Sequence, residues 1–289
     1  MSFVLFQLIG RFLDLLPISW LYVIAEFIAL LLHRVFRYRY KVVQSNLQVC
    51  FPQWSKKELH STIKEYYKHL SRIIMESFMV GRLNSNTINN HYSAEGVEPI
   101  KEMLGAGRSV VFATAHFGNW EWGAAGCPFH MYPYPCVVFY KPIANKKIEN
   151  YMVKIRASQG CEIVSIKDTA KCFEERKDIP TIYFMIADQS PSNIDKAIWV
   201  HFFGKNTASL HGPAHYAQLY DMPIFFGAVY CIAQSKYHIK IDELTRTPNS
   251  MNTTAITQRY YNMLESAIIQ QPHNWIWSHK RWKHTLIDS

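Results

Sequence analysis

The 289-residue sequence lacks the short motifs that identify several common enzyme classes. It contains no Gly-x-Ser-x-Gly elbow, no Walker glycine-rich loop and no dinucleotide-binding glycine pattern. These absences weigh against an α/β-hydrolase, a P-loop kinase and a dehydrogenase, because each of those classes uses the missing turn to position its nucleophile or its phosphates. No cofactor is expected.

The six cysteines show no Cys-x-x-Cys spacing, and most of them stand beside apolar residues. This pattern favours neither a zinc ribbon nor a disulfide framework. We interpret the cysteines as reduced core residues and expect the globular part of the chain to lie in the cytosol. Two histidine pairs, His211 with His215 and His279 with His284, lack the acidic partner of a zinc or dyad motif, so no metal is expected.

Residues 46–289 contain no internal repeat, no low-complexity tract and no long Gly/Ser linker. This range is therefore predicted to form one catalytic domain. The first residues also lack the basic region and the small-residue cleavage site of a removable signal peptide. We expect residues 1–45 to remain attached as an N-terminal membrane anchor.

The anchor contains one long apolar run, residues 15–32, which is broken only by Pro17, Ser19 and Glu26. As a helix the run would extend roughly 27 Å, against about 30 Å of hydrocarbon in a bilayer. Glu26 would cost about 2.5–3.5 kcal/mol if forced into lipid, so a full crossing and an interfacial position both remain open. The alternative is the buried first helix of a soluble protein.

A basic cluster follows the apolar run, and the whole chain carries a formal net charge of +9. Such clusters stay on the cytoplasmic side and attract anionic headgroups, so the rest of the chain is predicted to face the cytoplasm and to contact membrane phospholipid. No nucleic-acid recognition motif accompanies the charge. The cluster consists of Arg34, Arg37, Arg39 and Lys41.

Helical and β-rich segments alternate along the remaining chain. Residues 55–83 place apolar side chains at intervals of three and four, with a helix start signal at Ser55. Beyond them, alternation of short β-rich runs with helical stretches predicts an α/β domain with a mainly parallel central sheet flanked by helices. Functional residues of such sheets gather at the carboxyl ends of strands. The runs are residues 109–115, 136–140, 161–166, 181–187, 223–230 and 237–243.

The first of these runs leads directly into His116, with Glu121 five residues later. On a regular helix the two side chains would point about 140° apart, so they can meet only if His116 lies in a turn that Gly118 helps to form. A neutral histidine can accept a proton from an attacking hydroxyl while a carboxylate fixes its tautomer. A structural histidine is the competing interpretation, since this spacing is common by chance.

Six ordered blocks over nearly the whole chain resemble the late acyltransferases of lipid A biosynthesis, within the wider HxxxxD/E lysophospholipid acyltransferase group. The chain is similar to them in its N-terminal apolar anchor with RYRYKVVQSNLQVCFP at 37–52, AHFGNWEW at 115–122, YKP at 140–142, ADQS at 187–190, FFG with Thr207, and WSHKRWK at 277–283.

This resemblance implies a glycerol-phosphate-acyltransferase-like fold and direct transfer of a fatty acyl group from an acyl carrier protein or acyl-CoA thioester onto a lipid hydroxyl. His116 would be the general base and Glu121 would orient it, with Glu121 in a place that many relatives give to Asp. The enzyme would work at the bacterial inner membrane, with its catalytic domain on the cytoplasmic face.

Four further residues are predicted to bind substrate. Arg156, in the family's Arg-x-x-x-Gly position, and Arg281, in the C-terminal block, would face the thioester oxyanion or acceptor phosphates. Asp188, after a buried strand, could hold Arg156 or a sugar hydroxyl, or could simply form a turn. Asn119 completes the set.

The acceptor remains open within the same chemistry. A lipid A precursor is favoured, and a lysophospholipid, a glycolipid or an aminolipid is the alternative. A membrane protein that binds anionic lipid without catalysis is a further, different possibility.

Overall fold

The computed structural model describes residues 3–83, 85–195 and 197–284. The helices are α1 (Phe3–Leu15), α2 (Ile18–Leu30), α3 (Tyr40–Cys50), α4 (Lys56–Phe78), α5 (Ser85–His91), α6 (Glu98–Gly105), α7 (Trp120–Met131), α8 (Lys146–Ala157), α9 (Thr169–Glu175), α10 (Gly212–Leu219) and α11 (Thr253–Gln270). The strands are β1 (Tyr92–Glu95), β2 (Val110–Thr114), β3 (Cys136–Tyr140), β4 (Glu162–Ser165), β5 (Ile182–Ile186), β6 (Ile198–Phe202), β7 (Lys205–Ser209), β8 (Ile224–Ala233) and β9 (Lys236–Thr245).

Seven strands form the central sheet, in the order β1-β9-β8-β2-β5-β3-β4. Every neighbouring pair is parallel except β8 and β9, which pair antiparallel. β6 and β7 form a separate antiparallel pair. The predicted α/β class with a mainly parallel sheet is confirmed.

The sheet is covered on both faces, as a mainly parallel sheet requires. All five residues of β2 are buried. Val111 and Ala113 pack into one apolar cluster with residues of α3, α4 and α11, while Val110 and Phe112 pack into a second cluster with residues of α6 and α7. β2 therefore lies in the middle of the molecule, and its carboxyl end opens on the candidate site.

Helix α4 begins where the sequence predicts. The hydroxyl of Ser55 accepts the backbone N–H of Glu58, and the Glu58 carboxylate accepts the backbone N–H of Ser55. This capping box satisfies two of the free donors at the helix start. α4 then runs for 23 residues beneath the N-terminal helices.

The N-terminal segment forms two helices that pack on the rest of the chain. The stretch Ile18–Val35, α2 and the π-helical turn after it, is long and apolar enough to cross a membrane. Leu21, Tyr22, Ala25 and Ala29 of α2 are buried. The division of the chain at residue 45 remains a prediction, and α3 spans that position.

Candidate active site

His116 lies in the turn that joins β2 to α7, at the carboxyl end of the central strand. The turn continues through Gly118, whose backbone has a φ of +63° and lies so close to β8 that an added Cβ would be 1.9 Å from the Val229 carbonyl oxygen. Only glycine fits this position, both in conformation and in space. Asn119 then caps α7, with its Oδ1 accepting the backbone N–H of Trp122 at 3.0 Å.

The sheet register brings His116 next to Asp188. In the pairing of β2 with β5, Thr114 is opposite Ile186, so His116 and Asp188 each stand two residues beyond a matched pair. His116 Nδ1 lies 2.7 Å from Asp188 Oδ1, and the His116 backbone N–H donates to Asp188 Oδ2 at 3.1 Å. These two contacts fix both the ring and the backbone of His116.

Asp188 is fully buried and held ionised by its neighbours. Burial alone would raise its pKa, but the attraction of His116 and the hydrogen bonds donated by His116 and Trp275 outweigh it, so the pKa of Asp188 is lowered. The Trp275 indole N–H donates to Asp188 Oδ2 at 2.8 Å. An ionised Asp188 accepts a proton-bearing Nδ1, which leaves the lone pair of His116 on Nε2, directed away from Asp188.

His116 Nε2 points toward a cavity of about 440 Å³. The Gln189 side-chain nitrogen lies 3.3 Å from Nε2, at the place where a reacting hydroxyl would have to approach. The rest of the cavity wall is mostly apolar. Its lining includes Val80, Trp120, Ala124, Ala125, Val138, Phe139, Ile143, Cys161, Ile163, Ile166, Ile186, Pro191 and Leu210.

Glu121 and Arg156 face the same cavity as a bidentate ion pair. Arg156 Nε donates to Glu121 Oε2 at 2.8 Å, and Arg156 Nη2 donates to Oε1 at 2.5 Å. The structure thus differs from the sequence expectation in its carboxylates: Asp188, not Glu121, is bonded to the His116 ring, and Glu121, not Asp188, holds Arg156. The sequence could not show this exchange, because Asp188 reaches His116 only through the pairing of two distant strands.

A known protein family matches the chain over nearly its whole length. The model of the bacterial lipid A biosynthesis acyltransferase family matches residues 2–284. The chain belongs to this family. It is an O-acyltransferase of the lipid A biosynthesis type.

Three relatives share low sequence identity with this chain but align over most of its length. A lipid A biosynthesis palmitoleoyltransferase of Escherichia coli is 22% identical over 248 residues, which cover 85% of this chain and 79% of the relative. A lauroyltransferase of the same organism is 22% identical over 256 residues, covering 86% and 81%. An acyltransferase of Haemophilus influenzae is 20% identical over 237 residues, covering 81% and 72%.

In this acyltransferase, Asn119 is buried beneath the site instead of lining the cavity. Besides capping α7, its amide donates to Glu76 Oε2 at 2.7 Å. Tyr22 and Tyr237 donate to the same carboxylate, at 2.5 and 2.6 Å. Asn119 therefore ties the start of α7 to α4, and a direct contact with substrate remains a prediction.

Arg281 is also buried, behind the loop that carries Asp188. Its guanidinium donates to the Ala208 carbonyl at 2.8 Å and to the Tyr261 hydroxyl at 2.6 Å. The Tyr261 hydroxyl in turn donates to the Ala187 carbonyl, at 3.1 Å. Arg281 thus supports the backbone directly before Asp188. The sequence analysis predicted instead that Arg281 contacts substrate, and that contact remains a prediction.

Three residues near His116 were not selected from the sequence, namely Gln189, Trp275 and His279. Gln189 stands within the ADQS block, where a polar residue after a buried strand could have indicated it. His279 Nε2 accepts the Ser190 backbone N–H at 3.0 Å, and burial lowers the pKa of His279 to about 4, so it serves as a neutral acceptor. Trp275 gave no sequence signal for its contact with Asp188.

Proposed function

We propose that this enzyme moves a fatty acyl group from the thioester of an acyl carrier protein or acyl-CoA onto a hydroxyl of a lipid A precursor, with His116 as general base. The observation that carries the proposal is the contact between His116 and Asp188. The other ring nitrogen of His116, Nε2, faces a large and mostly apolar cavity. The family match, named for lipid A biosynthesis, supports the choice of acceptor.

In the proposed reaction the acceptor hydroxyl gives its proton to His116 Nε2 as its oxygen attacks the thioester carbon. The carbonyl π electrons move onto oxygen, and the C–S bond then breaks. The leaving thiolate takes the proton back from Nε2, which returns His116 to its neutral state. No covalent acyl-enzyme is formed, and all atoms are accounted for in the acyl ester and the free thiol.

We assign to Asp188 the role of orienting His116 that the sequence suggested for Glu121. Asp188 keeps the proton on Nδ1 and stabilises the imidazolium that forms during the attack. Its burial strengthens this effect, because a charge interaction inside a protein is less screened than one in water.

We assign to Arg156 the stabilisation of negative charge in the cavity, and to Glu121 the positioning of Arg156. The thioester oxygen becomes negative during the attack, and lipid A precursors carry phosphates, so a fixed cation beside the reacting atoms is favourable. Arg156 is that cation. Glu121 holds its guanidinium in place through two hydrogen bonds, and thereby acts on the reaction without bonding to His116.

The apolar cavity wall supports binding of the acyl chain. Each buried methylene group contributes about 0.8 kcal/mol, so a chain of ordinary length gains enough free energy to be held there. The basic surface of the protein, with its net charge of +9, suits an acidic acyl carrier protein as donor.

We place the enzyme at the cytoplasmic face of the bacterial inner membrane. The apolar stretch Ile18–Val35 and the basic residues after it support membrane attachment. In this location the enzyme would meet its soluble donor in the cytoplasm and its lipid acceptor in the bilayer.

Release of free thiol from the donor tests the proposed base. With acyl carrier thioester and a tetra-acylated lipid A precursor, His116→Ala should lower acceptor-dependent thiol release by about 10²–10⁴-fold. His238→Ala is the matched control, since His238 also contacts a carboxylate, Glu95, but on the remote edge of the sheet. An equal rate in wild type and His116→Ala would overturn the mechanism, and replacing the carrier by CoA measures the donor preference.

A further inference from the structure

Both ends of α2 are attached to the same globular body. Before α2, the Arg82 guanidinium donates to the carbonyls of Leu13 and Leu16, at 2.5 and 3.0 Å. α1 also packs so closely on α8 that a Cβ at Gly10 would lie 2.9 Å from the Tyr151 hydroxyl. The segment before α2 therefore lies on the same side of any membrane as the catalytic domain.

The segment after α2 returns to the same body. His33, in the turn that continues α2, stacks its ring on Tyr67 of α4 at a centroid distance of 5.2 Å. Arg39 donates to the Ser278 carbonyl at 2.9 Å, in the C-terminal block. A helix whose two flanks both contact one domain cannot place those flanks on opposite sides of a bilayer.

Between its flanks, α2 lies along α4 in antiparallel orientation. Tyr22 contacts Glu76, and Glu26 contacts Arg72 at 2.5 Å, so successive turns of α2 meet earlier turns of α4. Lys64 and Lys68 of α4 continue this series beside the end of α2. A crossing α2 would draw these charged side chains into hydrocarbon, where each ionised group is strongly disfavoured.

The opposite face of the two N-terminal helices is exposed and, apart from Arg11 of α1, apolar. Its large side chains project away from the domain, and each is more than half exposed. The face runs along both helices. This arrangement fits helices that lie on the acyl region of one leaflet better than a single helix surrounded by lipid on all sides. Representative members are Leu8, Phe12, Trp20, Val23, Phe27 and Leu30.

Basic residues lie at the edge of this apolar face. A cavity of about 330 Å³ between α2 and α4 is lined by three cations and by Glu26, which is paired with Arg72. The cations are Arg34, Lys64 and Lys68, and the rest of the lining is Ala29, Leu30 and His33. Lys68 is paired with Glu65, whereas no carboxylate among the described residues pairs with Arg34 or Lys64. Two uncompensated cations beside an apolar surface match the phosphate of an anionic phospholipid and its acyl chains.

From these contacts we infer that the chain does not cross the membrane: α1 and α2 lie in the plane of one leaflet, with their apolar face in the acyl region. The inference rests on the proposed membrane attachment and defines its form. It places both chain termini on the cytoplasmic side and brings the whole catalytic domain against the leaflet surface.

The side of the membrane on which each terminus lies tests this inference. The full chain would carry one epitope tag at each end, and protease would be added to intact spheroplasts and to inverted membrane vesicles. We expect both tags to survive in spheroplasts and both to be cut in inverted vesicles. An N-terminal tag cut only in spheroplasts would overturn the in-plane arrangement while leaving membrane attachment and acyl transfer intact.

The fraction of enzyme that sediments with membranes tests two claims separately: that the enzyme attaches to the membrane, and that the apolar face of α1 and α2 makes the contact. Wild type should sediment, and Phe27→Glu should shift at least tenfold toward the soluble fraction. Leu219→Glu, which changes an equally exposed apolar residue of α10, should sediment like wild type. A wild type found in the soluble fraction would remove membrane attachment itself, and unchanged sedimentation of Phe27→Glu would remove the apolar face as the contact.

Discussion

At the scale of single residues, the proposed chemistry depends on which carboxylate holds the base. His116 and Asp188 are 72 positions apart in the chain and 2.7 Å apart in the fold. The sequence singles out His116 and Asp188 separately, because each follows a buried strand. Their contact depends on β2 pairing with β5, and no local pattern specifies that neighbour. Glu121, five residues from His116, was the only partner that local spacing could suggest.

We predict that Asp188→Asn lowers turnover by at least about 10²-fold, since the amide no longer stabilises the imidazolium and can favour the wrong tautomer. Turnover is measured from acceptor-dependent thiol release. A variant with wild-type turnover would remove Asp188 from the mechanism.

Glu121→Gln should act differently, because Glu121 contacts Arg156 and acts through it. We predict that turnover, measured from thiol release, falls by a smaller factor of about tenfold. Glu121→Asp, which keeps the charge on a shorter arm, should recover part of the rate. Wild-type turnover in Glu121→Gln would remove the ion pair with Arg156 from the mechanism.

At the scale of helices and strands, the sequence was most informative where apolar runs are continuous. All six predicted β-rich runs are strands. The strands β2, β3 and β5 are apolar along almost their whole length, as parallel strands inside a covered sheet require. Three strands were not predicted: β1, which is only four residues long, and the hairpin strands β6 and β7. β1 lies at the edge of the central sheet and the hairpin lies outside it.

Helix α4 carries a buried carboxylate that links the N-terminal helices to the active-site turn. Burial raises the pKa of Glu76 to about 7, despite hydrogen bonds from Tyr22, Tyr237 and Asn119. The unfolded chain would lose the same proton near pH 4.5. Between these values the folded protein binds more protons than the unfolded one, so stability falls as pH rises through this window.

We predict that Glu76→Gln removes this part of the pH dependence. A rise of the pKa from 4.5 to about 7 means that the unfolding free energy of the wild type falls by on the order of 3 kcal/mol from pH 4 to pH 8. Urea unfolding at both pH values would measure it, with Glu65→Gln, at a partly exposed position of the same helix, as control. Equal pH dependence in wild type and Glu76→Gln would show that Glu76 titrates normally in the folded state.

At the scale of the whole molecule, the N-terminal helices decide how the enzyme meets lipid. The sequence indicated an anchor of about the right length to cross, but it could not show that both flanks return to one domain. Four charged residues of α4, Lys64, Glu65, Lys68 and Arg72, would accompany a crossing. At about 2.5–3.5 kcal/mol each, their transfer would cost about 10–14 kcal/mol, which favours the in-plane arrangement.

Vesicle binding should therefore depend on anionic lipid. Exchanging both Arg34 and Lys64 for Ala should weaken binding to vesicles containing phosphatidylglycerol by about 10–30-fold, since each cation near a charged surface contributes about 1 kcal/mol. Binding to phosphatidylcholine vesicles should change little. The control exchanges Lys171, in α9, and Lys177, just after it, for Ala and alters net charge equally. An equal loss in both double variants would mean that general charge, and not the basic cavity, is responsible.

The mass of the acceptor lipid after reaction tests acyl transfer onto lipid A most directly. Membranes containing wild type or His116→Ala would be incubated with acyl carrier thioester and a tetra-acylated lipid A precursor, and the lipids analysed by mass spectrometry. We predict a precursor heavier by one acyl group with wild type and an unchanged precursor with His116→Ala. An unchanged precursor with wild type would contradict lipid A as the acceptor, and a gain of mass with His116→Ala would contradict His116 as the base.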